Sequence, residues 1–306
     1  MTIGLDAVRA ALLEACPGLG VGDIRPLDAG YTSRQWVADT DEGPLLAKTP
    51  IRNPDPAHLR RLIAATRRAA DGGVPVVRFR ALLPHSADVG GPLLVQEYQD
   101  GTPADGAWST MDAAARLAFA TDLGTVVGQI HACTGPWFGD VLGRSQRPDA
   151  RTFLHTRVGE QLSRAPGVLS PELIDRAGAA LHRAIDDVPP DAPPSLVHGD
   201  LWRPNLLLRA GRITCVLDFE HGRWADRFLD FGKLDEHIFA TWPEGREAFL
   251  TAYDAVLPLP DDWQTRVRLG NAIHALSTAV YFARWNPEFV PEYVASLSAW
   301  LDGEES

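Results

Sequence analysis

Residues 198–205 read His198-Gly199-Asp200-Leu201-Trp202-Arg203-Pro204-Asn205, and Leu217-Asp218-Phe219-Glu220 comes shortly after. The pattern is H-x-D-x-x-x-x-N, an apolar stretch, then a second acidic pair. An aspartate can take a proton from a hydroxyl, and an amide oxygen beside a carboxylate suits a hard cation bridging phosphates. Together they are equipment for phosphoryl transfer. Asp200 is the candidate base. Its weak basicity suffices, because positioning and charge stabilisation supply most of the rate in that chemistry.

These residues need a frame. Leu206-Leu207-Leu208 and the apolar run 213–217 flank Arg209-Ala210-Gly211-Arg212, which predicts a β-hairpin. Antiparallel pairing sets the start of one strand beside the end of the other. Asn205 and Asp218 therefore meet as candidate magnesium ligands. Gly199 allows a tight turn, and His198 is expected to brace the loop by hydrogen bonds.

Upstream, residues 24–27, 35–38, 45–49, 76–82 and 93–98 read as strands, with a helix over 56–70 that opens near Pro56 and stops at Asp71-Gly72-Gly73. A further helix spans 5–15. After residues 99–103 the texture is helical: 111–133, 151–164, a helix opened by Ser170-Pro171-Glu172, then 244–256, 262–285 and 287–301. The expected architecture is α+β, with a small N-terminal lobe (1–98, a mixed sheet that binds nucleotide) and a larger, mainly helical lobe (99–306). The larger lobe carries the catalytic loop, the metal site and the acceptor pocket.

The 306 residues carry a net charge of −11. The excess falls entirely after residue 97, which disfavours nucleic acid and favours cations. No apolar run is long enough to cross a membrane, and the first residues lack a signal-peptide layout, so the expected compartment is the cytoplasm. Cys16, Cys133 and Cys215 are scattered, which argues against disulfides and structural zinc. Lysine is nearly absent: only Lys48 and Lys233 stand among many arginines. Each raises the question of what arginine could not do there. A narrow cleft accepts a compact ammonium more readily than a planar guanidinium.

Over about Leu27 to Trp285 the chain resembles the aminoglycoside phosphotransferase family, a branch of the protein-kinase-like fold. The resemblance rests on the 198–205 loop, on Val216-Leu217-Asp218-Phe219-Glu220, on Asp226-Arg227-Phe228-Leu229-Asp230-Phe231, and on Leu123-Gly124 through Gln129-Ile130-His131. It implies a two-lobed kinase-like fold and ATP (or GTP) with Mg2+. It assigns Lys48 to the α- and β-phosphates, Gln96-Glu97-Tyr98 to a hinge facing adenine, and Asp230 to buttressing the catalytic loop. His131 is expected to be satisfied in the core. The loop Ala29-Gly30-Tyr31-Thr32-Ser33-Arg34 would cover the phosphates, with the Thr32 and Ser33 hydroxyls cradling them.

Two departures stand out. Helix 56–70 lacks the glutamate that usually pairs with the strand lysine, leaving Asp55 or Asp218 as substitutes. Trp202 stands where serine/threonine kinases often have lysine, and Arg203 is one position further on, which turns the reading from proteins towards small molecules. Acceptor contacts are expected from Glu220, Asp235, Glu236, Asp261, Asp262 and Trp202; for Trp202, Trp224 and Trp285 core packing is the favoured role, with a cavity wall as the alternative. The first functional expectation is an ATP-dependent kinase that inactivates an antibiotic (aminoglycoside, cyclic peptide or macrolide, with a cationic one favoured). The alternatives are a metabolic kinase for choline, homoserine or a fructosamine, and a catalytically silent nucleotide-binding module. The oligomeric state is not legible.

Overall fold

The alternating apolar runs of the N-terminal region close into one sheet. The computed structural model describes residues 3–28 and 32–304. Helix α1 (Leu5–Ala15) precedes strands β1 (Val21–Leu27), β2 (Ser33–Thr40) and β3 (Leu45–Pro50). Helix α2 (Pro56–Asp71) then leads to β4 (Phe79–Ser86) and β5 (Gly91–Glu97). The order is β1-β2-β3-β5-β4, and every pair is antiparallel. This corrects the expected mixed sheet. A tight turn with Gly90 at φ 69° joins β4 to β5 and forces them to run oppositely, while α2 delivers β4 to the outer edge. Val8 and Leu12 of α1 pack on Trp36, Leu45 and Leu93 as this sheet's own core.

Helix α2 starts as its sequence predicts. Asp55 N-caps it by accepting from Ala57 N at 2.8 Å, and Pro56 takes the first turn. Its apolar face, however, turns from the sheet core to the larger lobe. Ala65 and Ala69 sit in the core built by Phe119, Leu123, Phe249 and Tyr253, and Cys133 Sγ reaches Arg68 O. The chain beyond α2 is sewn to the catalytic hairpin. Val216 N donates to Pro75 O at 2.7 Å, and Val76 forms a parallel bridge to Val216. That pairing is why β4 begins at Phe79, later than the expected 76.

The larger lobe follows with β6 (Thr102–Pro103), α3 (Ala104–Trp108), α4 (Ala113–Ala132), β7 (Phe138–Gly139), β8 (Gln146–Arg147), α5 (Ala150–Leu162) and α6 (Pro171–Asp186). Next come β9 (Ser195–Val197), β10 (Leu206–Arg209), β11 (Arg212–Val216), β12 (Arg223–Ala225) and α7 (Phe231–Leu234). Helices α8 (Arg246–Val256), α9 (Trp263–Trp285) and α10 (Val290–Glu304) complete it. Ser170 caps α6 as expected, accepting from Leu173 N at 3.2 Å. A small sheet of order β8-β7-β12-β9 frames the catalytic loop. A second core of Leu154, Leu181, Ile273, Leu276 and Leu297 binds α5, α6, α9 and α10.

Helices α4 and α8 approach closely because α4 presents glycine there. A Cβ on Gly124 would lie 2.2 Å from Phe249 O. Gly124→Ala would gain about 1 kcal/mol of helix propensity, yet overpacking of this kind costs about 1–3 kcal/mol. The overlap is with rigid backbone, so we expect net destabilisation, read as a lower thermal midpoint. An unchanged or raised midpoint would show the contact to be slack.

Candidate active site

One buried carboxylate organises the catalytic loop. Asp230, which ends a short 3-10 turn at residues 227–230, accepts from His198 N at 2.8 Å and Gly199 N at 2.7 Å. Its Oδ2 also lies 3.1 Å from His131 Nε2. His131 is fully buried at the end of α4 and meets Tyr253 Oη at 2.9 Å. It is a core histidine, as expected, and it also steadies Asp230. Burial alone would lift the Asp230 carboxyl, but His131 and the loop's N–H groups hold it below the usual range. Gly199 adopts φ 78°, and a Cβ there would meet His221 Cβ at 2.9 Å, so glycine is required twice over. His198 Nε2 is 2.7 Å from Leu217 O, and its Nδ1 accepts from Asp200 N at 3.2 Å. A carbonyl on one nitrogen and an N–H on the other fix the tautomer with the proton on Nε2.

The hairpin brings together what its sequence predicts. Leu206 pairs with Val216, and Leu217 N donates to Asn205 O at 2.8 Å, so Asn205 and Asp218 flank the same end. Asn205 Nδ2 donates to Asp200 O at 2.9 Å and to Asp200 Oδ2 at 3.2 Å. With the amide nitrogen held this way, its oxygen is left for another partner. Asp218 is left-handed, at φ 66° and ψ 58°. Burial, then the nearby Glu220 charge, raises its carboxyl above the usual range, while Lys48 opposes the shift. Two adjacent carboxylates in a shielded place favour a cation. An amide oxygen with carboxylate oxygens fits Mg2+, whose remaining positions water and phosphate would fill.

Lys48 on β3 lies across from Gln35 of β2 and Leu94 of β5. Burial lowers its ammonium, and Asp218 and then Glu220 act to restore it. Among the described residues no carboxylate stands within ion-pair distance of Lys48. Asp55 is no substitute, being occupied as the α2 cap. Glu220 is held instead by His58 of α2, at 3.4 Å. Here α2 offers a histidine that grips an acid of the opposite lobe, and that acid supplies charge near Lys48. Glu220, expected among the acceptor contacts, is placed against His58 of α2 and contributes charge near Lys48. Hydrogen bonding to His58 outweighs burial and lowers its carboxyl.

Ser33 pairs with Pro50 two residues from the Gln35–Lys48 pair, so Ser33 and Lys48 share a sheet face. Thr32 O accepts from Ile51 N at 2.8 Å, closing the end of β2. Residues 29–31 of the expected phosphate loop lie outside the described residues. At the expected hinge, Gln96 is buried in the sheet, pairing with Leu46. Glu97 N is taken by Arg78 O at 2.9 Å and Tyr98 N by Pro44 O at 3.0 Å, so neither N–H is free for adenine.

Beside Asp200 stands the other lysine, which the sequence reading left without a role. Lys233 Nζ on α7 is 3.5 Å from Asp200 Oδ1, 3.1 Å from His237 Nε2 and 5.6 Å from the Trp202 ring centre. Lysine scarcity was the signal that could have found it: one lysine lies in the field of Asp218 and Glu220, and the other lies against Asp200. Arg203 points away, stacking on Trp108 at 4.1 Å and bonding Thr241 Oγ1 at 2.8 Å. Of the expected acceptor acids, Asp261 is exposed at the surface, whereas Asp235, Glu236 and Asp262 are engaged by other residues. Asp235 binds Arg246 at 3.1 Å and Asn271 at 3.0 Å. Glu236 accepts from Tyr293 at 2.5 Å and contacts His274 at 2.5 Å and His237 at 3.1 Å. Asp262 pairs with Arg266 at 3.7 Å, Trp224 is buried, and Trp285 is exposed with Arg52 stacked on it at 5.3 Å.

A two-lobed fold with such a loop defines a kinase-like phosphotransferase. Residues 23–266 match the model of the phosphotransferase enzyme family, APH, and the chain belongs to that family. It is accordingly an enzyme that transfers a phosphoryl group to a hydroxyl. Similar solved structures include a thermostable mutant of aminoglycoside phosphotransferase APH(4)-Ia in ternary complex with AMP-PNP and hygromycin B (17% identity, 97% of this chain and 98% of that one, TM-score 0.74). Macrolide 2'-phosphotransferase MphH from Brachybacterium faecium is similar at 22% identity, over 96% of this chain and 97% of that one, with a TM-score of 0.64. A fructosamine-3-kinase candidate from Thermobifida fusca is similar at 21% identity, over 98% and 100%, with a TM-score of 0.74. Among the described residues no helix is long and apolar enough to cross a membrane.

Asp230→Asn turns an N–H of the new amide towards loop N–H donors. We expect about 2–3 kcal/mol lost from unfolding by urea, and kcat down at least tenfold with nucleotide KM little changed. Full activity would remove Asp230 from loop positioning. A second expectation concerns acid. Burial opposes the Glu236 charge, but hydrogen bonds from His274 and Tyr293 prevail and hold its carboxyl at about 2. A depressed folded pKa stabilises above the unfolded value and fades as pH falls through the folded one. The stability lost in Glu236→Gln should therefore be greatest above about pH 4.5 and shrink towards pH 2. A pH-independent difference would contradict this.

Proposed function

We propose that the chain transfers the γ-phosphoryl group of ATP, with Mg2+, to one hydroxyl of a small molecule, and that Asp200 is the base. The observation that carries this reading is the position of Asp200, tied by Asn205 Nδ2 on one side and Lys233 on the other, with its side chain still 24% exposed to an incoming group. Asp200 accepts the hydrogen bond of the acceptor hydroxyl and aims its oxygen at the phosphorus. The proton passes from that oxygen to the Asp200 carboxylate as the O–P bond forms and the bond from the γ-phosphorus to the bridging oxygen breaks, releasing ADP. Lys233, beside Asp200, places positive charge where the transferring group gathers negative charge. Lys48 neutralises the remaining phosphates from the sheet side. Magnesium, held by Asn205 and Asp218, would supply Lewis-acid charge to the phosphate oxygens.

For the acceptor, a cationic hydroxylated antibiotic fits the acidic balance of the larger lobe, and a similar fold is known with hygromycin B bound. One observation favours a second reading, a metabolic kinase of a small amine or amino sugar. Asp235 and Glu236 are already occupied, so a compact acceptor with a single charge needs fewer free carboxylates than a polycation does. Mass spectrometry of a cationic-antibiotic panel and a set of hydroxylated amines, each with ATP and Mg2+, separates the two by which set gains a phosphate.

Asp200→Asn should lower kcat at least ~1000-fold while nucleotide affinity holds, and Lys233→Ala should lower it about 10- to 100-fold. Near-native turnover in Asp200→Asn would reject Asp200 as base; near-native turnover in Lys233→Ala would confine Lys233 to packing.

A further inference from the structure

Four guanidinium groups converge beside the segment that follows the metal-site hairpin. A cavity of about 250 Å3 is lined by Arg61 of α2, Arg147 of β8, Arg157 of α5 and Arg223 of β12. Carboxylates at its wall are few and mostly engaged. Asp140 meets Arg61 at 3.5 Å and accepts from Leu142 N at 2.7 Å, while Glu220 is held by His58 at 3.4 Å and His221 at 3.5 Å. Glu160 is exposed at the rim and acts on Arg157 only at longer range.

Among the described residues Arg147 bonds only to Thr156 Oγ1 and Gln146 O, and two further guanidiniums lack a close ion pair. Arg157 Nε is shielded and has no hydrogen-bond partner, and among the described residues no carboxylate comes within 4.0 Å of Arg157 or Arg223. Arg223 donates from Nε to His221 O at 3.0 Å. Burial, then the charges of Arg157 and Arg61, pushes its pKa down to about 9. Like charges gathered in a partly shielded cavity cost free energy unless something negative completes them. Guanidinium forks match the oxygens of phosphate or carboxylate. Three of these arginines come from the large lobe, whereas Arg61 comes from α2, where its Nη2 also lies 2.7 Å from His58 Nδ1.

We propose that this cavity binds a phosphate-class dianion, either free or carried on a small molecule, through Arg157, Arg223 and Arg61. The bound anion ties α2 to the large lobe. Because Arg61 touches His58, and His58 holds Glu220 near Lys48, it also steadies the nucleotide side of the cleft. The binding claim stands apart from the assignment of Asp200.

Titration calorimetry of the full chain, without nucleotide or acceptor and at fixed ionic strength, tests it. Inorganic phosphate should bind the wild type and Lys48→Met alike, and at least tenfold more weakly Arg157→Gln and Arg223→Gln. Sodium chloride should give no heat of binding. A phosphomonoester such as 2-glycerophosphate separates the sources: tighter binding than phosphate assigns the site to small-molecule phosphates, and weaker binding assigns it to the free ion. Arg157→Gln should also melt no lower than the wild type, since it removes an uncompensated cation. The proposal is overturned if phosphate fails to bind, if both arginine variants bind as the wild type does, or if only Lys48→Met loses binding.

Discussion

The catalytic loop hangs from the buried Asp230 carboxylate. Two consecutive backbone N–H groups, of His198 and Gly199, point into it, and His131 holds its far side. An ionised acid in the core is costly unless its oxygens are satisfied, and here the loop backbone does the satisfying. The loop conformation and the burial of the acid thus require each other. From that anchor the path to the chemistry is short: His198 links Leu217 O to Asp200 N, and Asn205 returns from the hairpin to Asp200. The candidate base and candidate metal ligands are positioned by one continuous hydrogen-bonded unit.

Charge is distributed along the cleft by pairing across elements. On the phosphate side, Lys48 stands in the field of Asp218 and Glu220, and α2 contributes a histidine where an acid is usual. On the acceptor side, Lys233 lies against Asp200, with Trp202 and His237 about it. Trp202, which displaces the lysine familiar from protein kinases, thus lies close to a lysine delivered from α7.

Much of this was legible in the chain. The hairpin announced itself through two apolar runs around a glycine-containing turn, and the pairing of Asn205 with Asp218 follows from antiparallel geometry alone. The cap at Ser170 was visible because a short polar side chain beside proline has few other uses, whereas the cap at Asp55 went unread. What escaped was long-range. The two-residue strands β7 and β8 are too short to show periodicity. The antiparallel sheet order depends on where α2 deposits β4. The occupation of Asp235 by Arg246 and Asn271, and of Glu236 by His274 and Tyr293, depends on helices distant in sequence. Composition could count acids but could not tell which of them were already paired.

The packing of α2 redraws the line between the moving parts. By chain order the helix belongs to the small lobe, yet Ala65 and Ala69 lie in the large lobe's core and Pro75 is bonded to the hairpin. A cleft that widens by rotation of the sheet would carry Lys48 away while α2 stays behind with His58 and Glu220. Lys48 would then leave both the burial that lowers its ammonium and the Asp218 and Glu220 charges that act to restore it, while His58 and Glu220 kept their own contact.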